Sequence, residues 1–183
     1  MSIEFQKMRS ETLYSFADEE VAESCRRAKM LCKKLNQMTI YDDDYRSVIE
    51  QLIPNLPKDS TVSPPFFCDH GHGITLGKNV FVNHNCVMLD GGEIIVGNNV
   101  LIGPSCQFYT AEHPMDFVQR RLPQETCRKI TIGDDTWLCG SVVVCPGVSI
   151  GKRCIIAAGA VVTKDIPDDC LAAGVPAVVK KRL

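Results

Sequence analysis

The run Thr110-Ala111-Glu112-His113-Pro114 holds the side chain of this sequence best suited to moving a proton. A neutral imidazole can take the proton of a hydroxyl as that hydroxyl attacks an electrophile, which contributes typically ~10²–10⁴-fold. Pro114 restrains the backbone of His113 toward extended conformations and so helps to hold the ring. Taken alone, His113 reads first as a loop histidine that only hydrogen-bonds; its motif turns the reading toward catalysis.

Other polar side chains stand upstream. Asn83 and Asn85 in "FVNHNCVMLD" are two apart and would share one face of a strand, or serve as turn formers at a corner. Asp69 in "CDHG" and Asp90 in "MLDGG" carry carboxylates, which accept two hydroxyl hydrogen bonds in fixed geometry. Acids beside glycine also support tight turns, and for Asp90 the two readings are level. Cys68, His70 and His72 alternate as metal ligands on one strand face do, yet no fourth partner stands at a zinc-like spacing, and no metal is expected.

These residues are carried by a repeat. Ile132, Leu138, Val144, Ile150, Ile156 and Val162 are aliphatic, each six residues after the last. Four positions beyond each come Thr136, Val142, Val148, Cys154, Ala160 and Ile166, all small or β-branched, with turn-compatible residues between. The unit recurs at Val96 and Ile102 and at Leu76 and Val82, the two blocks put out of step by extra residues around "DGGE". Period six is neither helical nor simply alternating. It predicts short strands joined by tight turns, three to a coil, in a parallel β-helix whose coils are stable only when stacked. The rhythm breaks over 109–131, a stretch that holds His113, Arg120, Arg121, Arg128 and Lys129. A loop of this length inside a solenoid is usually functional, and it is expected to reach toward a neighbouring subunit.

Before the repeat, residues 1–57 predict a helical segment. Val21, Cys25, Ala28, Leu31, Leu35 and Met38 recur at helical spacing behind a candidate N-cap, Asp18. Tyr45, Val48, Ile49 and Leu52 mark a second helix that Pro54 ends. The pair is expected to cover the first coil, leaving 58–183 as the β-helix domain with a closing segment after Ile166.

Bulk properties narrow the field. Of 183 residues, 45% are hydrophobic and 23% charged, enough for a real core. A net charge of −2 argues against a nucleic-acid binder. No apolar run spans about eighteen residues, so no membrane span is expected. The charged start "MSIEFQKMRSE" is unlike a secretory signal, which points the ten cysteines to a reducing cytoplasm as structural thiols. Cys86, Cys106 and Cys154 occupy the small-residue slot of the repeat.

Together, "ETLYSFADEEV", "PPFFCDHGHGITLGKNVFVNHNCVMLD", "IGPSCQFYTAEHP", "ITIGDDTWLCGSVVVCPGVSIG" and "AAGAVVTKDIPDDCLAAGVPAVV" resemble the maltose and galactoside O-acetyltransferases, a branch of the hexapeptide-repeat acyltransferases. The resemblance covers nearly the whole chain. It implies a left-handed β-helix, assembled as a homotrimer with acetyl-coenzyme A bound between subunits. It also implies roles. His113 is the general base, and Asn83 holds the acceptor or the developing oxyanion. Asp69 and Asp90, with Asn85, hold sugar hydroxyls. Gly140, Ala158 and Gly159 lie beside the coenzyme's pantetheine arm. Thr163 and Lys164 lie further out, while Lys180, Lys181 and Arg182 are cations available to its phosphates; Trp137 packs or borders the groove. One position departs: where the family carries an acid after "LY", this chain has Ser15, with Asp18 three residues on. That leaves a non-sugar acceptor, such as an amino-acid hydroxyl or an antibiotic, as the alternative. A β-helix carbonic anhydrase would need converging histidines that the later repeats lack, and a scaffold subunit need not keep His113, Asn83 and "AAGAVVTKD" together.

Overall fold

A computed structural model describes residues 1–183. In the repeat, each two-residue strand points one side chain inward, and Ile132, Leu138, Val144, Ile150, Ile156 and Val162 are all at most 3% exposed. The small partners Thr136, Val142, Val148, Cys154, Ala160 and Ile166 are buried as well. Corners close through residues in the left-handed region: Asn79, Asn99, Asp135 and Arg153 on one edge, Asn85, Ser105, Ser141 and Gly159 on another, with φ between 54° and 71°. Asn, Asp and Gly adopt that region most readily, which is why such residues recur between the aliphatic ones. The corner side chains stack too, Asn79 Nδ2 donating to Asn99 Oδ1 at 3.1 Å and Asn99 Nδ2 to Asp135 Oδ1 at 3.0 Å.

The coils form a three-sided prism. The first face stacks Ile74–Leu76, Ile94–Val96, Ile130–Ile132 and Ser149–Ile150 in parallel. A second face runs from Thr61–Val62 through Phe81–Val82, Leu101–Ile102, Trp137–Leu138 and Ile155–Ile156 to Cys170–Gly174, where Ala177–Arg182 adds antiparallel and closes the end. The third face stacks Phe66–Cys68, Cys86–Leu89, Gln107–Tyr109, Val143–Val144 and Val161–Val162. One edge, between the second and third faces, carries 83–85, 103–106, 139–142 and 157–160; we call it the amide edge. The edge between the third and first faces carries 69–73, 90–93, 145–148 and 163–165; we call it the histidine edge.

Register shows where the repeat is interrupted. Ile74 pairs with Ile94, Ile94 with Ile130 and Ile132 with Ile150, separations of 20, 36 and 18 residues. The middle step is therefore one coil too long, and the excess leaves the prism at the histidine edge. It spans 110–129 rather than 109–131, because Tyr109, Ile130 and Thr131 remain in strands that the stacked coils hold. The excursion is ordered: Ala111–Glu112 pairs antiparallel with Gln124–Cys127, which pairs in turn with Tyr14–Ser15. Its base thus folds back on its own chain, while Met115 at the tip is 95% exposed.

Three helices precede the coils, one more than the periodicity predicts: α1 (Ile3–Arg9), α2 (Glu19–Leu35) and α3 (Tyr45–Leu52). Asp18 caps α2 as expected, accepting from the Glu20 and Val21 amides, and it also accepts from Ser2 Oγ, the N-cap of α1. The buried line of α2 runs Val21, Ala28, Cys32 and Leu35, leaving Cys25, Leu31 and Met38 half-buried; Met38 lies past the helix end. One hydrophobic cluster joins Ala28, Leu35 and Leu52 to Val62, Phe66 and the coil interior, so the cap shares the solenoid's core. No helix is long and apolar enough to cross a membrane.

Candidate active site

His113 leaves the strand Ala111–Glu112 at the start of the excursion. Thr110, the first residue of its motif, is fully buried and acts on backbone: its Oγ1 donates to the Leu89 carbonyl at 2.5 Å and accepts from the Gly92 amide at 2.9 Å. That pins the root of the hairpin to the coil below. The His113 side chain is 52% exposed. Its Nδ1 lies 3.4 Å from the carbonyl of Gln124, an acceptor only, which favours a hydrogen on Nδ1. Nε2 faces Glu125 Oε2 at 3.8 Å. Phe16 stands edge-on to the imidazole, with ring centroids 6.3 Å apart.

Glu125 lines the first of two nearby cavities. Its Oε1 accepts from the hydroxyl of Tyr14, which burial pushes well above the ordinary phenol range and so keeps as a neutral donor. Beyond Glu125 lies a cavity lined by Tyr14, Phe16, Cys25, Lys29 and Asp69. A second cavity is lined by His113, Pro114, Gln119, Gln124 and Arg128. Burial, with the nearby Asp90 carboxylate, pushes Asp69 up to about 6, while Lys29 works against the shift. Asp69 is the acid presented to the first cavity from the coils.

Asp90 is not available to an acceptor. It is fully buried, its Oδ1 accepting from the Asp69 and His70 amides at 3.1 and 2.8 Å and its Oδ2 from the Gly73 amide at 2.9 Å. The carboxylate holds the turn that presents Asp69, which corrects the expectation of a direct substrate contact. His70 and His72 are also structural: Ser24 Oγ lies 2.9 Å from His70 Nδ1 and from His72 Nε2, and Arg9 donates to His72 Nδ1 at 3.0 Å. Burial holds both imidazoles below their ordinary range, His70 at about 4. Cys68 faces Cys32 instead of the histidines, and no group of three or more His, Cys, Asp or Glu is placed to hold a metal ion.

Asn83 and Asn85 lie on the amide edge, not the histidine edge. Asn83 Oδ1 accepts from the following amide of His84 at 2.8 Å, leaving its Nδ2 hydrogens for another partner. Asn85 is a left-handed corner residue, φ 68°, with Nδ2 3.4 Å from Ser105 Oγ, which favours the turn-forming reading. Gly140, Ala158 and Gly159 share the amide edge. Gly159 has φ 71° and nothing within 4 Å of where a Cβ would stand, and the nearest atom to a Cβ on Gly140 would be 3.4 Å away. Trp137 does not pack inward: it is 47% exposed, in an outward ladder with Phe81, Leu101 and Ile155. Thr163 and Lys164 are exposed on the histidine edge. Lys180 and Arg182 are exposed on the closing hairpin, Arg182 donating to the Asp168 carbonyl at 3.0 Å.

One chain therefore brings His113 and Asp69 to one edge but keeps Asn83, Gly140, Ala158 and Gly159 on another. Sequence reasoning missed Glu125, Tyr14, Phe16 and Lys29. Tyr14 and Phe16 stand in "ETLYSFADEEV", but nothing local says that they meet a residue more than a hundred positions away.

Similarity to known proteins agrees with this architecture. Residues 129–164 match the bacterial transferase hexapeptide model (six repeats), and residues 7–56 match the maltose acetyltransferase hexapeptide capping motif. A putative acetyltransferase of Staphylococcus aureus strain Mu50, SAV2555, is 43% identical over 182 residues, 98% of this chain and 92% of its own length. The hexapeptide-repeat acetyltransferase VCA0836 of Vibrio cholerae, solved with acetyl coenzyme A, is 39% identical with a TM-score of 0.92, covering 100% of this chain and 99% of that one. A maltose O-acetyltransferase from Clostridium difficile 630 is 35% identical with a TM-score of 0.95, covering 100% and 98%. With the capping helices, the six-residue coils and the histidine hairpin all in place, this chain belongs to the maltose and galactoside O-acetyltransferase family of hexapeptide-repeat acyltransferases.

Proposed function

We propose that the protein moves an acetyl group from acetyl-coenzyme A to a hydroxyl of a sugar or galactoside-like acceptor by direct attack, with His113 as the general base. The observation that carries this reading is the orientation of one ring: Nδ1 faces the Gln124 carbonyl at 3.4 Å, and Nε2 faces Glu125 at 3.8 Å. A hydroxyl placed there gives its proton to Nε2 as it attacks, and Glu125 stabilises the resulting imidazolium. Acetyl-coenzyme A supplies the thioester carbonyl that is attacked.

The residues present fit that donor. Gly159, with open space where a side chain would stand, and Gly140 leave a bare backbone strip on the amide edge, flanked by the apolar ladder of Leu101, Trp137 and Ile155. Lys164 is a free-standing cation for a phosphate, and Lys180 lies on the closing hairpin. Because the strip and Asn83 lie away from His113, the reading calls for a homotrimer in which the amide edge of one copy meets the histidine edge of the next. Asn83 Nδ2 would then donate to the oxygen that gains charge, an effect of ~3–4 kcal/mol where such side chains have been removed. The ten free thiols suit a reducing cytoplasm.

A non-sugar acceptor has one observation in its favour. Ser15 Oγ accepts from the Ala17 amide at 3.3 Å, and Asp18 is committed to two helix N-termini, so no acid from this segment replaces the one the family carries there. Labelled acetyl-coenzyme A offered with simple glycosides, amino alcohols and aminoglycosides separates the two. Replacing His113 with Ala should cut transfer by ~10² or more with folding and assembly intact; unchanged turnover would remove the mechanism.

A further inference from the structure

Cys32 in α2 and Cys68 at the end of the first strand of the third face place their Sγ atoms 3.7 Å apart, across 36 residues of chain. Both are buried at 4–5% exposure, yet both line a groove between the helix and the coil, with Lys29, Lys33, Asn36 and Phe67. Other neighbouring thiols differ. Cys86 and Cys106 are buried completely, and their thiols donate to the carbonyls of Gly103 and Cys139 at 3.3 and 3.1 Å.

We propose that Cys32 and Cys68 form a reversible oxidation site, which a small-molecule disulfide such as oxidised glutathione converts to an intramolecular disulfide that staples α2 to the first coil. The two thiols are in hydrogen-bond contact, either one able to donate, so that ionising one leaves the other S–H to stabilise the thiolate; Lys29 and Lys33 line the groove together with Asp69. The Cys32 thiolate attacks one sulfur of the reagent, breaking its S–S bond and releasing one small thiolate. Cys68 then loses its proton and attacks Cys32 Sγ, displacing the second small thiolate. Two protein thiols give up two electrons and two protons, and one small disulfide becomes two small thiols. Closing the bond needs the sulfurs to approach from 3.7 Å to about 2.05 Å, a movement taken up between the helix and the coil.

The staple bears on the cavity beside Glu125. Lys29 and Cys25 are on the same helix, and Asp69 follows Cys68 directly, so the bond joins two walls of that cavity. The oxidation site stands or falls independently of the acetyl-transfer reading.

The test treats the full-length protein with excess oxidised glutathione at pH 8, followed by intact-mass measurement and peptide mapping without reduction. The expected result is a Cys32–Cys68 cross-linked peptide about 2 Da lighter than its two reduced halves together, and recovery of both thiols with dithiothreitol. Cys32→Ser and Cys68→Ala should each abolish the cross-link, and because they act on separate elements, either one that folds is sufficient. Failure to form it after the half-buried Cys25, Cys139 and Cys145 have all reacted would overturn the proposal. So would a predominant Cys86–Cys106 pairing.

Discussion

Tyr14 and Glu125 face each other across an antiparallel pair that joins the N-terminal segment to the inserted hairpin, the tyrosine hydroxyl donating to Oε1 while Oε2 lies 3.8 Å from His113 Nε2. The hairpin alone would leave the histidine on a mobile arm. Paired to Tyr14, and rooted through Thr110 on the coil below, it holds the imidazole in one place.

Glu125→Gln should lower kcat by ~10–10²-fold, because the carboxylate 3.8 Å from Nε2 no longer offsets the charge of the imidazolium, the scale on which an opposite charge this close acts. Tyr14→Phe should lower it less, because the carboxylate stays and loses only its donor. Steady-state kinetics on both variants checks the order; equal or absent effects would separate Glu125 from the base.

Asp69 makes stability fall with rising pH. Its carboxyl is raised from the ordinary 3.8 to about 6, so the folded state favours the protonated form. The contribution is complete below pH 4 and is lost as pH rises through 6. Asp69→Asn should therefore match the wild type in urea unfolding near pH 4 and exceed it at pH 7.5, by no more than ~3 kcal/mol. A variant less stable than wild type at pH 7.5 would contradict this sign.

Asp90→Asn leaves at least one of three buried amides facing a donor instead of an acceptor. A loss of ~2–4 kcal/mol is expected, read as a lower melting temperature. A variant with wild-type stability and only a raised acceptor KM would return Asp90 to substrate binding.

A shared site can be tested by mixing subunits. His113→Ala and Asn83→Ala are each expected to be nearly inactive alone. After unfolding and reassembly together at equal amounts, half the copies supply an intact histidine and half an intact asparagine, so about a quarter of the interfaces carry both. Recovery near a quarter of wild-type activity supports the interfacial site; no recovery in mixed trimers means that the two residues do not meet across an interface.

The six-residue spacing was enough to name the inward side chains from Ile132 to Ile166, since a coil of short strands and corners gives each residue the same surroundings as the one six positions on. It was also enough to locate the interruption to within a residue or two, because one extra coil's worth of chain cannot remain in register. Helical spacing found α2 and α3 but missed α1, which is only seven residues long.

Contacts between elements with no common period were decided by the tertiary structure. Nothing near Glu125 in the chain announces Tyr14, and nothing near Asp90 announces that three amides from 69–73 will consume its carboxylate. The same holds for Cys32 against Cys68, where a helix face meets a coil. A repeat specifies side-chain direction locally, residue by residue. Which irregular segment lies across it depends on the packing of the whole cap, and that information is spread over buried surfaces far apart in the sequence.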